Sequence, residues 1–209
     1  STLPLSAQET LDNPSEPIKQ GLSRFHSIDV DAPIKLTLIN IGEYDVPYIV
    51  YDTKNVFTSK FSFEVGKDGV LKIRERHDPK RETITEVWIY YNSIKSLDIS
   101  KADVVVEGVI EAHLLDISAS NDSHLIAEIK SDDLKINITG KCCVEINGEA
   151  LYQTADISTA TYNAINLKTM SSSITASHNA DVSIDATQRL IIKTSTGAKI
   201  CYKSHPEIY

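Results

Sequence analysis

Asp116-Ile117-Ser118, Asn137-Ile138-Thr139, Asp156-Ile157-Ser158 and Ser173-Ile174-Thr175 are variants of one phrase, an isoleucine set between two polar residues in a β-prone run. Working outward adds Ile99 before them and Ile192 after, and the steps between the six isoleucines are 18, 21, 19, 17 and 18 residues. A return of about 19 residues is too short for helix-pair repeats and suits one coil of a β-solenoid, in which each turn covers its apolar face with the next. A second apolar position follows eight residues after the anchor in the later coils, at Leu125, Ile146, Ile165, Val182 and Ile200. Each coil therefore holds two short strands and two bends. The first coil departs from this, carrying Val104-Val105-Val106 early. Two residues after the anchors stand Lys101, Ala119, Gly140, Thr159, Ala176 and Thr194, mostly small, as tight corners require. The fold expected is all-β, a parallel β-helix or β-solenoid with coils of 17–21 residues and no long helix.

Upstream, Ile34, Leu36 and Leu38 alternate with Lys35 and Thr37 and mark a strand with one buried face. Phe61-Ser62-Phe63-Glu64-Val65, then Asp68-Gly69, then Val70-Leu71-Lys72-Ile73 is a hairpin signal. The segment Arg76 to Glu82 is charged and contains Pro79, so it reads as an exposed, mobile loop whose charges serve solvation. Residues 1–23 carry Pro4, Pro14 and Pro17 among polar residues and read as a flexible spacer. Residues 24–209 then form a single domain. Cys142 and Cys143 lie three coils before Cys201, about 14 Å away at the usual spacing between strands, so no disulfide joins them.

A net charge of −8, with Arg189 the one arginine after position 81, excludes nucleic acid as a partner. No run approaches the 18 or so consecutive apolar residues of a membrane-spanning helix. Period-2 geometry turns the residues beside each anchor outward. Asp98, Asp116, Asn137 and Asp156 then form a polar column, with Asp98 and Asp116 adjacent. Such a face could hold calcium, which selects oxygen ligands, or supply acid and base for a polysaccharide lyase or hydrolase. A solvated sheet is the simpler reading, because two carboxylates one coil apart repel by only about 0.9 kcal/mol in water. No cofactor, catalytic set or metal set is assigned. On the strand running to Tyr91, Val87, Ile89 and Tyr91 share one face, and Trp88 and Tyr90 share the other, where they could stack a sugar ring.

Three stretches carry a family resemblance: Phe25-His26-Ser27-Ile28-Asp29-Val30, Ser93 to Ser100, and the ending Ile200-Cys201-Tyr202-Lys203-Ser204-His205-Pro206-Glu207-Ile208. With Gly69 to Ile73 and the repeated corners, they make residues 24–209 resemble the GIN domains, auto-transporter adhesin head domains of Gram-negative envelope proteins. The family typically places a Ser-Gly-Ala-Gly-like corner in each coil, whereas here Thr139-Gly140 and Thr196-Gly197 keep the glycine. The resemblance implies a right-handed β-helix and export to the periplasm, outer membrane or cell surface behind a signal peptide or lipid anchor. It also implies a role in adhesion or surface-glycan binding, with no catalytic residues to carry over. The leading expectation is a non-catalytic module that binds a glycan or protein through Trp88, Tyr90 and the polar column. A polysaccharide-active enzyme and a self-assembling stalk element, a homo-oligomer, are the alternatives.

Overall fold

A computed structural model describes residues 14–209. Parallel coils stack into a β-solenoid of about six turns. Among the described residues every regular element is a strand, and no helix is long and apolar enough to cross a membrane. Two sheet faces enclose the core. The first is built from β1 (Ile18–Gly21), β4 (Tyr48–Asp52), β7 (Glu86–Tyr91) and β3 (Lys35–Asn40), then the leading halves of β9 (Asp103–Ser120), β10 (His124–Thr139), β11 (Cys143–Ser158), β12 (Thr161–Ser177) and β13 (Asp181–Thr194), and ends on β14 (Lys199–Lys203). The second runs from β5 (Ser62–Val65) through β6 (Val70–Arg74), β2 (Ser27–Asp31) and β8 (Ser96–Ser100), across the trailing halves of the same long strands, to β15 (Glu207–Ile208). β9 to β13 thus serve both faces, bending once on the way. Bulges in the pairing at Ile126/Glu128, Glu145/Gly148 and Ala164/Lys168 mark that bend.

The core is a set of apolar columns running through the coils. On the first face Leu36, Val104, Leu125, Val144, Tyr162, Val182 and Ile200 stack in register. The second face has two inner columns. One contains Leu97, Ile117, Ile136, Ala155, Ile174 and Ile192; its neighbour contains Ile99, Ala119, Ile138, Ile157, Ala176 and Thr194. The six repeat isoleucines are therefore shared between two columns rather than aligned in one. The expected corners shift with them. Lys101, Gly140 and Thr159 do turn with positive φ, but Ala119, Ala176 and Thr194 are strand positions, and their coils turn two residues later at Asn121-Asp122, His178-Asn179 and Thr196-Gly197. The second apolar positions divide likewise: Leu125, Val182 and Ile200 stay in the first-face column, while Ile146 stacks on Ala127 beside it.

Antiparallel strands extend both faces at the amino-terminal end. The Asp68-Gly69 hairpin forms as expected, with β5 antiparallel to β6 and Gly69 at φ +77°. Residues 18–21, read as spacer, instead form β1 and pair antiparallel with β4; residues 1–13 lie outside the described chain. The charged segment after β6 is held down rather than free. Arg81 and Glu75 form an ion pair at 3.3 Å with side chains only 8% and 1% exposed. Ser59 and Thr85 donate to the same carboxylate at 3.0 and 2.7 Å, and Arg81 also donates to the Thr53 carbonyl at 2.7 Å. Cys142 is buried, and its burial pushes the thiol up; Cys143 on β11 and Cys201 on β14 are exposed, and all three thiols are free.

Candidate functional site

The outward residues suggested by the sequence fall on opposite sides of the molecule. Trp88 and Tyr90 lie on the outer side of the first face and are half-buried. Trp88 sits between Thr37 of β3 and Val50 of β4, and Tyr90 between Ile39 and Tyr48. The Tyr90 ring stacks on Tyr48 with centroids 4.1 Å apart and planes 12° from parallel, and Lys19 caps Tyr48 at 4.2 Å. Burial, then Tyr48 and Glu107, raise the Tyr90 hydroxyl above its ordinary value. One face of the Tyr90 ring is thus already occupied within the protein. Among the described residues Trp88 makes no aromatic stacking contact.

Asp98, Asn137 and Asp156 lie on the outer side of the second face in one column, in the order Asp29, Asp98, Ser118, Asn137, Asp156. Asp116 is one column over, between Ser96 and Lys135. The expected pairing of Asp98 with Asp116 on adjacent coils does not occur, because the anchors Ile99 and Ile117 belong to different inner columns. Asp98 and Asp156 are three coil steps apart, about 14 Å, whereas calcium needs six to eight oxygens at roughly 2.3–2.6 Å. The column does not fit that ion. Among the described residues no group of three or more His, Cys, Asp or Glu side chains could hold a metal.

The neighbour Asp98 does have is Asp29, one coil back, itself bonded to Arg74 at 3.1 Å. Asp98 is exposed, yet its carboxyl sits above the ordinary carboxylate value. Adjoining strands keep water from part of it, Asp29 repels its charge, and Arg74 offsets only some of this. A raised native pKa means the folded state holds this proton more tightly. The contribution is fully present below the unfolded pKa and is lost as pH rises through the folded one. Asp98→Asn is therefore expected to stabilise the protein near pH 7 by about 0.5 kcal/mol, a cross-strand like-charge term reduced for exposure. The gain should vanish toward pH 3, as measured by paired urea titrations of wild type and variant. A gain that grows on acidification would contradict the assignment.

A third location was not anticipated. Along the bend between the faces runs a groove of about 590 Å³, crossing β9 to β12 and reaching Thr187 of β13. Its floor is the column Ala112, Ser131, Ala150 and Thr169, small residues that leave room where other columns carry Ile or Leu. The two hydroxyls on this floor are engaged: Ser131 donates to the Asp133 carbonyl at 2.9 Å and Thr169 to the Asp185 carbonyl at 2.6 Å. One wall is Glu111, Lys130, Glu149 and Lys168, in register on successive coils and alternating in sign. The opposite wall carries Leu151, 48% exposed, and Met170, with His113 hydrogen-bonded to Asp132 at one end. A signal for it existed in the sequence, since Glu111, Lys130, Glu149 and Lys168 stand 19 residues apart at every step.

The chain is thus a parallel β-solenoid with antiparallel strands at its amino-terminal end, one outer face carrying Val50, Trp88, Val105 and Ile126, a second that is polar, and a lateral groove. This chain belongs to the family described as putative auto-transporter adhesin, head GIN domain, whose model matches residues 24–206. Among solved structures it is similar to a putative adhesin from Bacteroides fragilis, with a TM-score of 0.78 at 13% identity over 93% of this chain and 95% of that one. A putative lipid binding protein from Parabacteroides distasonis gives a TM-score of 0.72 at 18% identity over 95% and 93%. A putative adhesin from Parabacteroides merdae gives 0.67 at 16% over 95% and 97%. At these identities the likeness is one of fold. No curated protein sequence matches this chain.

Proposed function

We propose that this protein is a non-catalytic binding module of the exported bacterial envelope, an adhesin-type domain that engages a surface glycan or protein through the outer side of its first face. The observation that carries the reading is the half-buried Trp88 on β7, near the amino-terminal end of that face, bordered by Thr37, Val50 and the Tyr48–Tyr90 stack. A rigid aromatic with apolar neighbours contributes contact area at little entropic cost. Membership of an adhesin-type family supports export and binding. The separation of Asp98 from Asp156 weighs against those two acting as the acid and base of a polysaccharide-cleaving enzyme. Asp98 and Asp156 exceed the roughly 5–9.5 Å between paired glycosidase carboxylates, and the hollow that includes Asp116 leaves Asp98 out.

The test is a glycan-array and surface-protein binding screen of the full chain, followed by Trp88→Ala. Removal of a buried-centre aromatic from a contact typically weakens binding at least tenfold. Affinity for a confirmed ligand unchanged by Trp88→Ala would remove this face from the site. Product released from any glycan in the screen would reverse the non-catalytic reading.

A further inference from the structure

The bend groove is separate from the face carrying Trp88, and the pitch of its charged wall selects a particular kind of occupant. That wall spans three steps between coils of about 4.8 Å, roughly 14 Å. Side chains along one flank of a helix recur about every 5.4 Å. Over three steps they drift from the coils by roughly 2 Å, within reach of flexible Lys and Glu side chains. Same-side residues of an extended strand recur about every 6.8 Å and drift by roughly 6 Å over the same three steps.

The chemistry agrees. With Ser131 and Thr169 bonded inward, the floor presents carbon to the groove, and Leu151 and Met170 extend that apolar surface on one side. On the other side Lys130 reaches Glu149 at 3.8 Å, while Glu111 and Lys168 at the two ends make no ion pair among the described residues. Covering the two unpaired end charges, Glu111 and Lys168, without counter-charges is costly, which disfavours a purely aliphatic ligand. We infer that the groove is a docking site for an amphipathic α-helix of a partner protein, lying along the solenoid axis. The helix sets a stripe of small and aliphatic residues on Ala112, Ser131, Ala150 and Thr169 and runs a flank of alternating Lys and Glu against Glu111, Lys130, Glu149 and Lys168. Ligand recognition through i, i+4 and i+7 positions is the usual geometry for a helix in a groove.

The experiment uses the full chain and two designed helical peptides of identical composition. Both carry an Ala/Leu stripe; one has the flank Lys-Glu-Lys-Glu, the other Lys-Lys-Glu-Glu, at one-turn spacing. Fluorescence anisotropy should favour the alternating peptide at least tenfold, since the block peptide sets two like charges together. The double variant Lys130→Glu with Glu149→Lys keeps the net charge and converts the wall to Glu-Glu-Lys-Lys, and the preference should reverse. Unchanged circular dichroism and thermal unfolding would verify its fold. Equal affinity for both peptides, or no binding of either up to about 1 mM, a contact worth only about 4 kcal/mol, would overturn the proposal. Saturable binding of a fluorescent fatty acid that is abolished by Leu151→Asp, with neither peptide competing, would overturn it too, in favour of an aliphatic ligand. None of these results depends on Trp88, so failure here leaves the first-face reading intact.

Discussion

Replacing Gly148 by alanine is expected to destabilise the protein by at least about 3 kcal/mol, although it adds a single methyl group. Gly148 lies on β11 directly opposite Ile129 of β10, at the bulge where the strand turns from one face to the other. Its φ is +110°, and a Cβ built there would lie 2.0 Å from the Ile129 carbonyl oxygen and 3.1 Å from that residue's N and C atoms. No side-chain rotation relieves a contact with backbone, so the two coils must part and lose ladder hydrogen bonds. Gly42 is the matched control. Its φ is +78°, with nothing within 4 Å of a built Cβ, so Gly42→Ala should cost only the left-handed strain, about 1–2 kcal/mol. For a chain of this length each kcal/mol lowers Tm by roughly 2–4 °C, which puts Gly148→Ala at least about 6 °C below wild type. Equal midpoints for the two variants in denaturant titrations would mean that the close approach of β10 and β11 is not what Gly148 serves. The same bulge sets Glu149 on the groove wall and Ala150 on its floor, so a partial unfolding here should also remove peptide binding.

The repeat was legible because an inward residue in a solenoid must be apolar, and the parity of inside and outside survives almost any choice of anchor. What was not legible is register. Ile136 and Ile138 both point inward, as do Leu97 and Ile99 or Ile174 and Ala176, and nothing in a single coil distinguishes one inner column from its neighbour. Choosing isoleucine wherever it stood shifted some coils by two residues. That preserved the face of every residue while misplacing its neighbours along the axis, and so it set Asp98 beside Asp116 instead of Asp29. Outward charges obey no such degeneracy. Glu111, Lys130, Glu149 and Lys168 keep a constant spacing of 19, and aligning on them gives the true stacking of β9 to β12. The Val87/Ile89/Tyr91 and Trp88/Tyr90 division followed from alternation alone, whereas the stacking of Tyr90 on Tyr48 depends on an antiparallel pairing of β4 with β7 that no local pattern announces. Residues 18–21 were misread for a similar reason: β1 is exposed throughout and belongs to the sheet through its backbone, which leaves no apolar trace.

Arg81→Ala should cost about 3–5 kcal/mol in the amino-terminal part of the solenoid, the usual penalty for stranding one member of a buried ion pair. The local sequence gives no warning of this, since Arg81 stands among Asp78, Lys80 and Glu82 and looks like one more solvated charge. Folding instead buries Glu75 beneath it, where the carboxylate accepts from Ser59, Thr85 and Arg81. Without the guanidinium those two hydroxyls must hold an ion that has lost most of its water, and the Thr53 carbonyl loses its donor as well. Because each coil of a solenoid contacts only its neighbours, the loss should be local. Amide exchange should accelerate in β4 and β7, which flank this cluster, and change little in β11 to β13. Glu75→Gln with Arg81→Met, which removes both charges and keeps bulk, should recover most of the lost stability, since the penalty comes from the unpaired ion rather than from absence of the pair. A single Arg81→Ala variant within about 1 kcal/mol of wild type would place this pair with ordinary surface ion pairs and restore the segment from Arg76 to Glu82 to the mobile loop that its composition suggests. A loss spread evenly over all coils would instead mean that the amino-terminal strands and the repeats unfold as one unit, so that breaking the closed end releases the whole stack.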